Sequence, residues 1–297
     1  GGAAGAGGVV PGQPGAAGNH MAGRFEEWTK RNVILTVLTF SAVLISSIIT
    51  LFGFVGDAIG WYESRFEWKD AEYEKLTSLH AGYSFAAFRE KLGAPLFVQP
   101  VVDKKGLTEN IFKGRGYWVD VVTDKTGTAL SYAVTSCSRD FQPKFSFMIG
   151  SFDAKSSGRL DLTLNRDSMS ERVVRDFGAL KVYVSGATAN SYAFQVIPTS
   201  NPSNYKAYGW GMNDTCDWRS NPATKTGETY NSWLDWQDAH PASKRYLQMD
   251  NLSTSLRGLM AKSIVNTYME TAPHIEESDV YPWQIGVDRI FTRTVGD

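Results

Sequence analysis

Outside a Gly/Ala-rich N-terminal tail, histidine occurs only at His80, His240 and His274, and none has the neighbours that histidine chemistry needs. No His-x-x-x-His or Cys-x-x-Cys spacing is present, so nothing in the sequence calls for zinc. Cys137 and Cys216 have no nearby histidine to lower a thiol pKa, which a cysteine nucleophile requires. Asp153-Ala154-Lys155-Ser156-Ser157-Gly158 imitates the start of a calcium loop. However, Lys155 and Leu164 stand where the third and twelfth ligands belong. His274-Ile275-Glu276-Glu277-Ser278-Asp279 is the densest acidic cluster and reads as a solvated loop. There is no Gly-x-Ser-x-Gly elbow, phosphate-binding loop or dinucleotide fingerprint. The expectation is a non-enzyme with no cofactor and no metal.

Binding chemistry is better represented. Trp118, Tyr208, Trp210, Trp218, Trp233 and Trp236 carry large faces with polar handles, which suit protein interfaces and sugar rings alike. These six are the candidate binding residues, for a protein or glycan partner, although rings of this kind also cover cores beneath irregular loops. A formal net charge of −1, without a Lys/Arg stripe, argues against nucleic acid.

The element that would position this body is the apolar run Val33–Val55. Its 23 residues give about 35 Å of helix, enough to cross a bilayer core of about 30 Å. Its six Ser and Thr hydroxyls can bond back to helix carbonyls. Trp28 on one side and Trp61 with Tyr62 on the other suit the two interfaces. The run is longer than the apolar region of a cleaved signal, so it reads as a single-pass signal-anchor. Lys30 and Arg31 precede it directly, which places the N-terminus in the cytoplasm and the C-terminal body outside. Ser41, Ser46, Ser47, Thr50, Gly53 and Gly56 give small-residue faces that allow homo-oligomerisation through the span. Export would permit a Cys137–Cys216 disulfide; two unpaired buried thiols are the other reading.

The expected fold is α+β: one N-terminal transmembrane helix, then tandem helix-on-antiparallel-sheet repeats, then a C-terminal helix. Residues 1–23 form a tail too poor in apolar side chains to fold, 24–62 the anchor, 63–79 a helical stalk and 80–297 the body. In the first repeat (about 80–138), Ser84 caps a helix that places Phe85, Phe88 and Leu92 on one face and stops at Gly93. A loop then leads to a hairpin, Tyr117–Val122 and Ala129–Val134, turning at Thr123–Thr128. In the second (about 158–212), Ser168-Met169-Ser170-Glu171 is a capping box for a helix ending at Phe177-Gly178. Strands 190–197 and 204–211 follow. Helix stops align at an offset of 85 residues and strands at 75, the pattern of an internal repeat. Residues 213–241 read as aromatic loops, 251–271 as a helix closed by Pro273, and 289–295 as an edge strand.

A helix ending in Leu92-Gly93-Ala94-Pro95 before antiparallel strands resembles the tandem helix-and-sheet fold of outer-membrane assembly lipoproteins and β-lactamase inhibitor proteins, over Leu79–Met212. The whole chain resembles bacterial single-span membrane-anchored proteins. The resemblance implies an extracytoplasmic binding fold and transfers no functional residue. The leading expectation is therefore a membrane-anchored, extracytoplasmic binding or scaffold module of a bacterial envelope. It would engage its partner through a sheet face and the Trp/Tyr-rich loops. The alternatives are a cytosol-facing sensor signalling through its span, and a hydrolase assembled from distant residues around His240 or His274.

Overall fold

A computed structural model describes residues 32, 37, 68–150, 157–169, 180–185, 192–198, 206–215, 226–240, 246–247, 252–280, 284–288 and 290–291. The chain divides into two compact units, Gly1–Trp68 and Lys69–Asp297. Within the first, the apolar run 33–55 lies outside the described residues except for Val37, so the anchor and association through it rest on sequence alone. Among the described residues no helix is long and apolar enough to cross a membrane.

The second unit is built on one sheet. The strands are β1 Phe97–Pro100, β2 Thr108–Gly114, β3 Tyr117–Thr123, β4 Ala129–Ser136, β5 Lys144–Gly150, β6 Ser157–Thr163, β7 Leu180–Ser185, β8 Tyr192–Pro198, β9 Ala207–Asn213, β10 Tyr246–Leu247 and β11 Thr267–Thr271. The helices are α1 Trp68–Thr77, α2 Phe85–Leu92, α3 Thr226–Ala239, α4 Thr254–Lys262 and α5 Glu277–Val280. Nine strands pair in the order β1-β2-β3-β4-β11-β9-β8-β7-β10, and β5 with β6 forms a separate hairpin. Among the described residues every pairing is antiparallel.

This architecture corrects the expected one. The strands do not form separate repeats, each closed by its own helix. They form two meanders, β1–β4 and β7–β9, joined edge to edge by β11. The expected C-terminal helix over 251–271 is likewise corrected: only Thr254–Lys262 is helical, and Thr267–Thr271 is the middle strand of the sheet. All five of its side chains are buried, the pattern of a strand covered on both faces. Val265, Tyr268 and Met269 satisfy helical spacing as well, and a short apolar run cannot distinguish the two by period alone. Thr267, Tyr268 and Thr271 favour the strand.

Local signals are visible where the chain turns sharply. Ser84 stands at the start of α2 in extended conformation without a side-chain cap bond, and Gly93 ends the helix at φ 84°. The β3–β4 turn is held by the Asp124 carboxylate, which accepts from Thr126 N at 2.8 Å and Thr128 N at 2.9 Å. The loop expected before this hairpin contains β1 and β2 instead. The region expected to be loop-like around 213–241 contains α3. Ser168 bridges to Ile264 and Met169 is buried; the remainder of the expected second helix lies outside the described residues. Ile290 and Phe291, inside the expected 289–295 edge strand, are helical.

One face of the sheet carries Tyr132, Val134, Tyr208, Trp210, Tyr268 and Glu270 in adjoining rows. The β5–β6 hairpin lies on it: Phe145 stacks on Tyr268 at 4.2 Å and Phe147 on Tyr208 at 4.5 Å. Phe88 of α2 meets Tyr132 at 5.4 Å, and the Tyr132 hydroxyl donates to Leu76 O at the end of α1. Leu76 is fully buried, so α1 is packed onto the body and does not project as a stalk. On the opposite face Met269, Ala133 and Phe194 pack with Ile285, while Ile111 and Trp118 pack with Val287 and Phe291.

Candidate functional site

The six candidate binding residues have separate fates. Trp118 and Trp210 are buried on opposite faces of the sheet, and Trp233 is buried in α3 with its indole N–H donating to Ser263 Oγ at 2.8 Å. Tyr208 is half-buried beneath Phe147. Trp236 is half-buried and lines a groove; Trp218 lies outside the described residues. Cys137 is disulfide-bonded, and Cys216 lies outside the described residues. The structure therefore does not gather the five described residues of this set into one surface.

The groove that Trp236 lines runs between α3 and α4 and has a volume of about 660 Å³. The α3 side contributes Ser232, Asp235 and Trp236, and α4 contributes Ser255, Leu259 and Lys262. Both helices expose these positions for a physical reason. Trp233 and Tyr230 on α3, and Leu256 and Met260 on α4, face inward as anchors, which turns their neighbours toward water. Ser253 caps α4 by accepting from Leu256 N. Trp236 is held firmly, edge-on to Trp233 at 5.5 Å and stacked with His240 at 4.9 Å. His240 Nδ1 lies 2.7 Å from Trp236 O, which fixes the ring at the end of α3. Such an aromatic edge, with hydroxyls and opposite charges on facing walls, can hold a polar ligand that has one flat apolar side.

Gly258, in the middle of α4, also lines this groove. A Cβ built there meets nothing within 4 Å, so packing does not require glycine. Glycine within a helix costs about 1 kcal/mol relative to alanine. Here it keeps the groove wall flat.

A second cluster is closed. Glu270, only 1 % exposed, stands on β11 directly between Tyr132 of β4 and Tyr208 of β9. Its Oε1 accepts from Ala81 N at 2.7 Å and lies 3.1 Å from His80 Nδ1. Its Oε2 accepts from the Tyr268 hydroxyl at 3.1 Å, with Lys206 Nζ at 3.7 Å. Burial, and then the Glu270 charge, pushes Tyr208 up to about 12 and raises Tyr132 and Tyr268 well above the usual phenol range. Tyr117 is raised by burial and by its hydrogen bond to Glu72. These phenols stay protonated at neutral pH. The arrangement fixes the loop after α1 to the centre of the sheet.

His274 is exposed at φ 66° in the turn after β11. Among the described residues no group of three or more His, Cys, Asp or Glu side chains is placed to hold a metal. Leu164, expected at the last position of the imitation calcium loop, is fully buried. Sequence reasoning missed Glu270, Lys206 and the groove residues Asp235, Gly258 and Lys262. The first two are brought together by pairing across distant strands. The α3 signal was present as Tyr230, Trp233 and Trp236 at three-residue steps, but Gly227, Asn231, Ser232 and Asp235 masked it.

No protein-family model matches the chain, and no curated protein does. Among solved structures it is similar to a cysteine-rich secretory protein from Staphylococcus aureus subsp. aureus Mu50, at 10% identity and a TM-score of 0.30. The match covers 69% of this chain, which spans about half the length of that neighbour (47%). A likeness of this size carries no functional argument.

Proposed function

We propose that this chain is a membrane-tethered, extracytoplasmic binding module whose α3–α4 groove receives a protein or glycan partner. The observation that carries the reading is the groove itself, with Trp236 held at its wall and Gly258 left open where alanine would make a better helix. Around β4, β11 and β9 both sheet faces are occupied by packing, so the groove takes the role expected of a free face at the centre of the sheet. The disulfide at Cys137 supports an oxidising compartment, and Cys216 is the partner this reading assigns to it. The uncharged run 33–55 supports the tether, and the cations ahead of it support an exported body. The protonated tyrosines around Glu270 favour a structural role for that cluster over acid–base work.

Two measurements test this. C-terminal fusions to reporters active on opposite sides of the membrane should report export; activity of the cytoplasmic reporter would refute the topology. Titration of the full chain in nanodiscs with soluble muropeptides and with an array of extended peptides should give saturable binding that Gly258→Trp abolishes. Binding unaffected by that substitution would move the site elsewhere.

A further inference from the structure

Large apolar side chains left in water are few among the described residues, yet three fall in one short stretch. Leu96, Val98 and Val102 are 46, 60 and 79 % exposed. Pro100, between them, is exposed as well. They alternate with inward-facing residues: Phe97 packs on Phe291 at 5.2 Å, Gln99 donates to Glu109 at 2.6 Å, and Val101 joins the cluster around Val122 and Val280. Apolar residues on both sides of a strand are the pattern of a doubly covered element. Here β1 is the terminal strand of the sheet and one of its sides is uncovered.

The chain on either side of this stripe is basic. Exposed Arg89 and Lys91 in α2 precede it and Lys105 follows it, against the exposed carboxylates of Glu90 and Asp103. Lys113 belongs to the other face, over the Trp118 ring, and so do Val101 and the Val280 it packs with, next to exposed Glu276 and Asp279. Lys104 and Lys105 sit at the tip of the β1–β2 turn, beside Val102, where Asp103 (φ 60°) and Gly106 (φ 84°) fold the chain back. Apolar side chains bordered by cations match the headgroup boundary of an anionic bilayer.

We propose that β1 and the β1–β2 turn form a membrane-docking edge, with Leu96, Val98 and Val102 entering the acyl boundary and the lysines meeting lipid phosphates. The proposal rests on the membrane-tethered reading for the nearness of the bilayer. Twelve residues separate Val55 from Trp68, a reach of about 40 Å when extended. A strand from a protein partner fits this edge less well. Val101 N–H turns inward to Leu107 O at 3.1 Å, so position 100 faces outward, and proline has no N–H to offer there. A lipid surface needs no ladder of donors.

The test is amide hydrogen exchange on the full chain in nanodiscs of phosphatidylcholine alone or mixed equally with phosphatidylglycerol. Amides of residues 96–106 should exchange about tenfold more slowly in the anionic discs, and the double substitution Val98→Asp with Val102→Asp should remove the difference. Both positions are exposed, so the variant keeps the fold, which its near-ultraviolet circular dichroism checks. Equal exchange in the two lipids overturns the proposal. So does protection that follows protein concentration and not lipid charge, which would identify the occupant as a second copy of the chain. Should the chain fail to stay in discs, the tether is wrong but the edge is still testable. Sedimentation with phosphatidylglycerol vesicles and not with phosphatidylcholine vesicles then supports the docking edge, and no sedimentation with either overturns it.

Discussion

Trp233 and Trp236 stand three residues apart on α3, yet one is fully buried and the other opens onto a groove. The same contrast separates the Glu270 cluster from the α3–α4 groove on a larger scale. In the first, the carboxylate is buried and matched: Glu270 has an amide, a phenol, an imidazole and an ammonium group around it, with only the His80 ring reaching well into water. In the second, charged and hydroxyl side chains line an open surface, with a glycine where the helix would prefer a methyl group. Aromatic richness alone therefore does not mark a binding surface. What separates the two is whether the neighbouring elements close over the rings, and that is decided by tertiary packing.

The contrast can be broken most severely from the closed side. Gly211 lies on β9 where an added Cβ would come within 2.3 Å of Ala193 O and 2.4 Å of Phe194 Cα. Gly211→Ala should cost about 3 kcal/mol or prevent folding, measured by urea unfolding, because backbone cannot yield as a side chain does. Glu270→Ala should cost a similar amount, about 3 kcal/mol, since it strands Ala81 N–H and the Tyr268 hydroxyl in the interior. Glu270→Gln keeps the shape and should cost less.

Alkaline pH probes the same cluster without mutation. The folded state holds the protons of Tyr208, Tyr132, Tyr268 and Tyr117 more tightly than the unfolded chain, whose phenols titrate near 10. Their contribution to stability is complete below about pH 10 and falls as pH rises above it; the Tyr208 share is lost through about pH 12, and the shares of the other three are lost at still higher pH. Denaturation midpoints should be flat from pH 7 to 9.5 and fall above that; phenolate absorbance should appear together with unfolding.

From the open side the effects are smaller and of opposite sign. Gly258→Ala should stabilise the fold by about 0.5–1 kcal/mol, because it improves helix propensity and meets no neighbour. Asp161 is held below the usual carboxylate range by Lys144, Ser146 and Arg159 on the outer face of the β5–β6 hairpin. It is an exposed ion cluster, so Asp161→Asn should leave the thermal midpoint unchanged.

The sequence carried the elements that are decided locally. Ser84 and Gly93 bracket α2, Asp124 and Gly127 turn β3 into β4, and β8 and β9 announce themselves by aromatic and β-branched runs. It did not carry what depends on partners far away. Thr108-Glu109-Asn110 looks like a polar loop, but Glu109 and Asn110 are buried, and Asn110 bonds to Val121 O and Thr123 Oγ1 across the sheet. Thr267–Thr271 becomes the middle strand only because two meanders present edges to it. Glu270 meets His80 across 190 residues, a pairing no local pattern encodes. The groove was hidden for a different reason: α3 is rich in residues that favour turns, and its helicity comes from burying Trp233.

Fluorine NMR of the full chain labelled with 5-fluorotryptophan, with a soluble paramagnetic agent in the water, tests the division between closed sheet and open groove most directly. The Trp236 resonance, assigned by Trp236→Phe, should broaden strongly while those of Trp118, Trp210 and Trp233 stay sharp. Broadening of Trp210 or Trp233 to the same degree, or a Trp236 signal untouched by the agent, would contradict the account.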